Sequence, residues 1–332
     1  MDTRSFRALV VEEGAEGMFT RTVRERYVSD LPAGEVLIHV AYSSLNYKDA
    51  LSASGNLGVT RSYPHTPGID AAGIVVESTA DSILPGDSVI VTSYDLGMNT
   101  PGGFGQYIRV PSSWVVPLPA GLTLKESMIL GTAGFTAGLS VTKLVAIVSP
   151  GEGPVLVTGA TGGVGSVAVA LLAKLGYEVI AVSGKVDAEA YLKGLGATEV
   201  IGRKQLIDQE TRPLLKVRWA GAIDTVGGGM LAASIKSTQP GGMVTCCGNV
   251  ASADLNLTVY PFILRGVTLA GIDSQNCPMD LRQKVWGKLS DAWKFAEMET
   301  LCQLSCLEDL SGHIETMLHG RLRGRILVDL TD

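Results

Sequence analysis

The chain has no cysteine before Cys246, and its five cysteines, Cys246, Cys247, Cys277, Cys302 and Cys306, show neither paired disulfide spacing nor a C-x-x-C zinc pattern. Cys302 and Cys306 lie four apart, which on a helix would set them side by side as metal ligands, but no partner pair accompanies them. They read as small buried hydrophobes, as do Cys246 and Cys247 inside the buried-strand pattern of residues 243–248. Charge is also scarce: 18% of residues carry it, the net value is −6, and no Lys/Arg cluster stands out. Nucleic acid and anionic membrane surfaces are therefore poor partners. No segment reaches the roughly 20 apolar residues needed to span a bilayer. The start, Met1 to Arg7, opens into a strand-like run without a signal-type apolar stretch. The expectation is a cytoplasmic location. Internal repeats and low-complexity segments are absent as well.

What is present is apolar residue and glycine, 46% hydrophobic with 40 glycines in 332 residues. That composition fits an α/β enzyme with many tight turns and room for two domains. The short apolar runs 8–11, 35–41, 73–76, 88–92 and 106–110, separated by Gly, Pro, Ser and Asp, predict a β-rich, partly open barrel. From Gly131 strands and helices alternate, which predicts a doubly wound parallel sheet. The tail reads as helices over 281–295 and 310–318 and a terminal strand over 325–330. The expected division is a barrel domain over 1–130, completed by 275–332, around a nucleotide domain over 131–274.

The strand 155–158 runs into Gly159-Ala160-Thr161-Gly162-Gly163-Val164-Gly165 and then into a helical pattern over 166–175. A helix N-terminus offers unpaired N–H groups and the positive end of its dipole, and glycines let a pyrophosphate approach the backbone. Against G-x-G-x-x-G, Ala160 takes the first glycine's place while Gly162 and Gly165 keep the others. The next strand ends in Ser183-Gly184-Lys185, where an NAD site would place an Asp or Glu on the ribose hydroxyls. Without that carboxylate, the Ser183 hydroxyl, a glycine N–H and the Lys185 ammonium suit the 2′-phosphate of NADPH. Arg203, past the third strand, is placed to stack on the adenine or to reach the same phosphate.

With that turn behind a β-rich N-terminal region, the sequence resembles the medium-chain dehydrogenase/reductases. It is most similar to the quinone-oxidoreductase-like branch that contains NADPH-dependent acryloyl-CoA reductases. The matching runs span nearly the whole chain: 43–51 (SSLNYKDAL), 67–73 (PGIDAAG), 129–137 (ILGTAGFTA), 158–165, 181–185, 219–227 (WAGAIDTVG) and 261–265. The resemblance implies a GroES-like barrel domain with a Rossmann domain. It also implies cofactor contacts at Thr161, Gly162, Gly163 and Val164 for the pyrophosphate, and at Ser183, Gly184, Lys185 and Arg203 for the adenosine end. Tyr47, Asn249, Ile263 and Ser274 would lie toward the nicotinamide, with Asn249 departing from the apolar residue expected there. Arg321 is a candidate for closing over the cofactor, although with Arg323 and Arg325 beside it a solvated basic tail is an equal reading.

Zinc alcohol dehydrogenases bring a Cys, a His-Glu pair and a second Cys to their catalytic metal. Here the first third holds no cysteine, Ile69-Asp70 stands where His-Glu would, and His65 lacks thiolate partners. No metal is expected, so the substrate should carry its own activation, as an α,β-unsaturated thioester does. The expected reaction is NADPH-dependent reduction of acryloyl-CoA to propanoyl-CoA, with Asn46 among the donors near the thioester oxygen. Tyr47 or solvent would deliver the α-carbon proton. Arg61 is the candidate for a CoA phosphate at the cleft mouth, against an ordinary surface arginine. A quinone or enone reductase is the alternative enzyme, and a non-catalytic NADPH-binding protein the alternative of another class. The apolar strand near 267–272, set at the end of the sheet, predicts a homodimer by edge pairing.

Overall fold

The computed structural model describes residues 3–185, 187–207 and 212–331. Met1, Asp2 and Asp332, at the outer bounds of the expected domains, lie outside the described residues. The chain divides into two compact units. One runs to Thr132 and takes in Gln275–Ser290 and the stretch from Met298 on; the other holds Ala133–Ser274 and Asp291–Glu297.

The first unit opens with strands β1 (Ser5–Glu13), β2 (Phe19–Tyr27), β3 (Val36–Ser44), β4 (Asp70–Ser78), β5 (Ser88–Thr92), β6 (Tyr107–Val110) and β7 (Val115–Pro117). β1 and β2 form their own antiparallel hairpin. Apolar patterning hides β2, because half-buried Arg21 stands between Phe19 and Val23 on its inward side. Arg21 Nε donates to the Ala53 carbonyl at 2.8 Å, so a charge fills a place where a hydrophobe would be expected. Helix α1 (Tyr47–Ser52) follows β3 directly. Asn46 starts it through a capping box in which the Asn46 N–H donates to Asp49 Oδ2 at 2.8 Å. Val36, Ile38 and Val40 of β3 share this unit's core with Leu45, Ala50, Val89, Phe104 and Ile108.

Helix α2 (Leu124–Leu144) crosses from one unit to the other and is broken at Gly131, whose φ of 51° and ψ of −155° are not helical. The division between the units falls after Thr132, inside this helical stretch and next to its break at Gly131. The second unit continues with β8 (Val155–Val157), α3 (Gly163–Lys174), β9 (Val179–Ser183), α4 (Ala188–Gly194), β10 (Glu199–Gly202), α5 (Arg203–Leu206), β11 (Trp219–Asp224), α6 (Gly228–Lys236), β12 (Thr238–Cys246), α7 (Tyr260–Arg265) and β13 (Thr268–Gly271). Its six strands are parallel, in the order β10-β9-β8-β11-β12-β13. β8 and β11 are buried along their whole length, as central parallel strands must be when helices cover both faces. The order reverses between them, and in open α/β sheets the crevice at that reversal takes the ligand.

The chain then returns to the first unit with α8 (Met279–Ser290), β14 (Cys302–Ser305), α9 (Leu310–Leu318) and β15 (Arg325–Asp329). β15 pairs antiparallel with β3 and completes the order β14-β15-β3-β4-β5-β7, with β6 also on β3. Cys302 begins a strand, so the helical spacing that would set Cys302 and Cys306 together as ligands does not exist.

Candidate active site

In the second unit the chain leaves β8 at Thr158, whose hydroxyl donates to buried Asp224 Oδ1 at 2.7 Å and accepts from the Thr225 N–H at 3.0 Å. Thr225 Oγ1 donates to the Thr158 carbonyl at 2.9 Å. The other Asp224 oxygen accepts the Gly227 N–H at 2.7 Å and the Val226 N–H at 3.2 Å. Burial pushes the Asp224 carboxyl above its ordinary range, and these three donors work against that rise. The ends of β8 and β11, which flank the reversal of strand order, are therefore laced by one carboxylate.

The turn that follows fits a pyrophosphate. The Ser166 N–H donates to the Gly162 carbonyl at 2.9 Å, the first bond of α3. A helix's first N–H groups have no acceptor within it and can face an anion. A Cβ at Gly165 would stand 2.4 Å from the Gly159 carbonyl oxygen, so only glycine lets helix and turn come this close. Thr161 is buried while Gly162, Gly163 and Val164 are partly exposed. At the end of β9 the Lys185 N–H donates to Ser183 Oγ at 3.1 Å. Arg203, at the start of α5, lies against Gly184: a Cβ there would be 2.6 Å from Arg203 Nε. Ser183, Gly184, Lys185 and Arg203 thus gather without a carboxylate among them. Asn249 follows β12 and is exposed, its Cα 3.2 Å from where a Gly227 Cβ would be; Ile263 lies on α7, exposed, and Ser274 beyond β13, half-buried.

The first unit holds a denser polar cluster. Buried Asp70, the first residue of β4, accepts at Oδ2 from Ser44 Oγ (2.6 Å) and Asn46 Nδ2 (2.7 Å), and at Oδ1 from Thr132 Oγ1 (2.6 Å). The Thr132 N–H adds bonds of 2.9 and 3.0 Å to the two oxygens. Arg325, 2% exposed, pairs with Asp70 Oδ2 at 3.5 Å and donates to Ser44 Oγ (2.7 Å), Asn46 Oδ1 (3.1 Å) and the carbonyls of Leu45 (3.2 Å) and Ile129 (3.0 Å). Gly131 covers the cluster so closely that a Cβ would meet Asp70 Oδ2 at 2.4 Å. Asp49, fully buried one turn into α1, accepts the N–H groups of Asn46 (2.8 Å), Ile69 (2.8 Å) and Gly68 (3.2 Å). Burial first, and the Asp70 charge second, push its carboxyl up to about 7 against those donors.

This geometry changes the reading of two residues. Asn46 has no amide hydrogen left for a thioester oxygen: its Nδ2 serves Asp70 and, at 3.1 Å, the Ser44 carbonyl. The donor-only guanidinium of Arg325 fixes which end of the amide is oxygen. Arg325 is no part of a solvated tail, since its position on β15 carries it into the interior. Tyr47, the first residue of α1, is 38% exposed. Arg61 and Arg321 are exposed on loops, Arg61 through its N–H on Asn99 Oδ1 at 3.3 Å and Arg321 just after α9 through its N–H on the Thr316 carbonyl at 3.0 Å. His65 is buried, its Nε2 3.0 Å from the Gly97 carbonyl, and burial lowers its pKa. Among the described residues no group of three or more His, Cys, Asp or Glu is placed to hold a metal. Sequence reasoning overlooked Asp70, Asp224 and Thr158 as organisers. The available signal was a single carboxylate inside each of two apolar runs, IDAAG and GAIDTV.

Comparison with known proteins agrees with both halves. Residues 32–120 match the family described as alcohol dehydrogenase GroES-like domain, and residues 163–291 match the zinc-binding dehydrogenase family. The chain is 47% identical over 327 residues to the putative quinone oxidoreductase YhfP of Bacillus subtilis, covering 98% of this chain and 99% of the relative. Against the acrylyl-CoA reductase AcuI of Ruegeria pomeroyi the identity is 44%, with the same coverage. The YhdH oxidoreductase of Salmonella enterica, solved with NADP, superposes with a TM-score of 0.94 at 42% identity over 97% of this chain and 99% of that one. The structure of YhfP, solved with NAD, gives 0.96 at 46% identity over 99% and 100%. The chain belongs to the medium-chain dehydrogenase/reductase superfamily, with the GroES-like and Rossmann domains of that fold.

Proposed function

We propose that the protein is an NADPH-dependent reductase of short-chain 2-enoyl-CoA thioesters, with acryloyl-CoA, reduced to propanoyl-CoA, as its leading substrate. The observation that carries this reading is the 44% identity with the Ruegeria pomeroyi acrylyl-CoA reductase, which runs through both units. The cofactor supplies a hydride for the β-carbon, and a proton added at the α-carbon completes the reduction. The glycine turn from Thr161 to Val164 would hold the pyrophosphate. Ser183, Gly184, Lys185 and Arg203, with no carboxylate to repel it, would hold the 2′-phosphate. Asn249, Ile263 and Ser274 are assigned to the nicotinamide end and Arg321 to closure over the cofactor.

Tyr47 is assigned to the nicotinamide end and to guiding the proton, with solvent as the competing source. With the Asn46 amide spent on Asp70, charge developing on the thioester oxygen falls to backbone N–H groups. The buried cluster of Asp70, Ser44 and Arg325 contains no thiolate, and a thioester substrate carries its own activation. Arg61 is assigned to a CoA phosphate. The identity with YhfP favours a second reading, reduction of quinones, which needs the same hydride donor and no cation at the mouth.

NADPH oxidation by the purified protein with acryloyl-CoA, crotonyl-CoA and a soluble quinone in parallel, with NADH and a chelator as controls, separates these readings. Chelator-resistant turnover of acryloyl-CoA supports the thioester reductase, and quinone-only turnover replaces it with the second reading. Silence on all three leaves only cofactor binding. We also propose a homodimer: β13 ends the six-stranded sheet, and Val259, Tyr260, Ile263 and Leu264 are exposed nearby in sequence on and before α7. A light-scattering mass of a single chain removes that assignment. A cytoplasmic location is proposed with it; no described helix is long and apolar enough to cross a membrane.

A further inference from the structure

Ser93 and Tyr94, directly after β5, have φ of 64° and 51° and are the only non-glycine residues with positive φ among the described residues. A side chain in that left-handed region costs about 1–2 kcal/mol, which glycine would not. The bonds of the turn show what the strained backbone holds in place. The Ser93 N–H donates to the Ile69 carbonyl at 2.7 Å, beside Asp70. Ser93 Oγ lies 3.0 Å from Thr132 Oγ1. The Thr132 hydroxyl proton is committed to Asp70 Oδ1, so Ser93 is the donor and the chain of bonds has one direction: Ser93 to Thr132 to Asp70. The Tyr94 ring is fixed on both sides, stacked on Trp114 with centroids 5.6 Å apart and approached by the Arg282 guanidinium at 4.4 Å. The turn therefore cannot relax by swinging its second residue away.

Asp70 is also the acceptor that orients Asn46, and Asn46 is the residue from which α1 and Tyr47 start. We infer that Ser93 is a positioning residue for Tyr47: its left-handed backbone presents a hydroxyl that sets the Thr132 proton on Asp70, and Asp70 in turn holds Asn46 and the first turn of α1. The inference rests on the reading of this protein as an enoyl-thioester reductase in which Tyr47 meets the nicotinamide end.

The test compares Ser93→Gly with Ser93→Ala in the full chain. Ser93→Gly removes the hydroxyl and the strain together; Ser93→Ala removes the hydroxyl and keeps the strain. Both should lower kcat with acryloyl-CoA by about tenfold while leaving the NADPH Kd and the thioester KM within about twofold, as expected for lost orientation and not lost binding. Ser93→Gly should nevertheless melt at or above the wild-type temperature, and Ser93→Ala below it. In a Tyr47→Phe background, Ser93→Ala should remove less than about twofold more, because the two act as a unit. A fall in both kcat and Tm for Ser93→Gly, or fully additive losses in the double variant, overturns the inference and makes Ser93 an ordinary structural residue. Hydrogen exchange of the peptide 46–52 reads the same claim without turnover: Ser93→Gly should exchange there several-fold faster, and an unchanged rate sinks it. Wild-type protein that does not turn over acryloyl-CoA defeats the functional reading alone, since the exchange result still decides the role of Ser93.

Discussion

Each unit is organised by one buried carboxylate at a strand end, and the two are neutralised differently. Asp70 begins β4 and sits against the guanidinium of Arg325, with hydroxyls of Ser44 and Thr132 and the Asn46 amide filling its remaining positions. Asp224 ends β11, and its partners are one threonine hydroxyl and two backbone N–H groups, with no cation among them. Burial raises the pKa of Asp224, which a nearby cation would oppose. The difference matches the task of each place. For the turn proposed to receive a dianionic pyrophosphate, backbone dipoles fixed by an acceptor serve well. A cluster that joins β3, β4 and β15 and starts α1 can use a guanidinium, whose donors reach four residues at once.

The comparison breaks first at Arg325. Arg325→Met leaves Asp70 buried without its cation, and removing one partner of a buried pair costs about 3–5 kcal/mol. The urea midpoint should fall by far more than for any exposed arginine. Adding Asp70→Asn should recover part of the loss, because the pair is then gone and no charge is stranded; a double variant as unstable as the sum of the singles would show that the two do not act as a pair. Asp224→Asn strands no cation, so its loss should be smaller, about 1–3 kcal/mol from mispaired donors. It should also weaken NADPH binding, since the lacing between Thr158 and Gly227 loosens. Equal destabilisation by the two carboxylate changes, measured in the same urea series, would erase the distinction between the clusters.

The second unit's half of this comparison was far easier to read from sequence than the first's. The glycine turn announces itself because its parts are consecutive: a strand, glycines and a helix need no distant partner to be recognised. The cluster around Asp70 assembles residues 279 positions apart, as for Arg325 and Asn46, and no local pattern reports such a pairing. Arg325 shows the consequence: beside Arg321 and Arg323 it looks like one of three surface charges, and only the pairing of β15 with β3 buries it. Asn46 shows the opposite error, a residue in a selective motif assigned to the ligand when its amide is consumed by the protein. Strand β2 escaped notice because an arginine takes the inward place that the alternation reserves for a hydrophobe.

Binding sharpens the comparison at a lower energy. Lys185→Ala should raise the Kd for NADPH about tenfold, roughly 1.4 kcal/mol, and leave NADH nearly unchanged, because only the former carries the phosphate that the ammonium would meet. Fluorescence titration of both cofactors decides it: equal weakening would place the 2′-phosphate elsewhere.

The smallest effect is a slope with pH, and its sign distinguishes Asp49 from a salt-bridged carboxylate. Burial and the neighbouring Asp70 raise the Asp49 carboxyl to about 7 in the folded protein, above the roughly 3.9 of an unfolded chain. The folded state therefore holds the proton more tightly, and the stability that comes with it is fully present below about pH 3.9. It is lost as pH rises toward and through 7, at no more than about 1.4 kcal/mol per pH unit for one proton. Between pH 5 and 8 the urea midpoint of the wild-type protein should consequently decline more steeply than that of Asp49→Asn, which has no proton to lose. Parallel slopes would mean that the three N–H donors on Asp49 outweigh its burial and keep it ionised throughout, in which case the α1 cap would be a fixed charge.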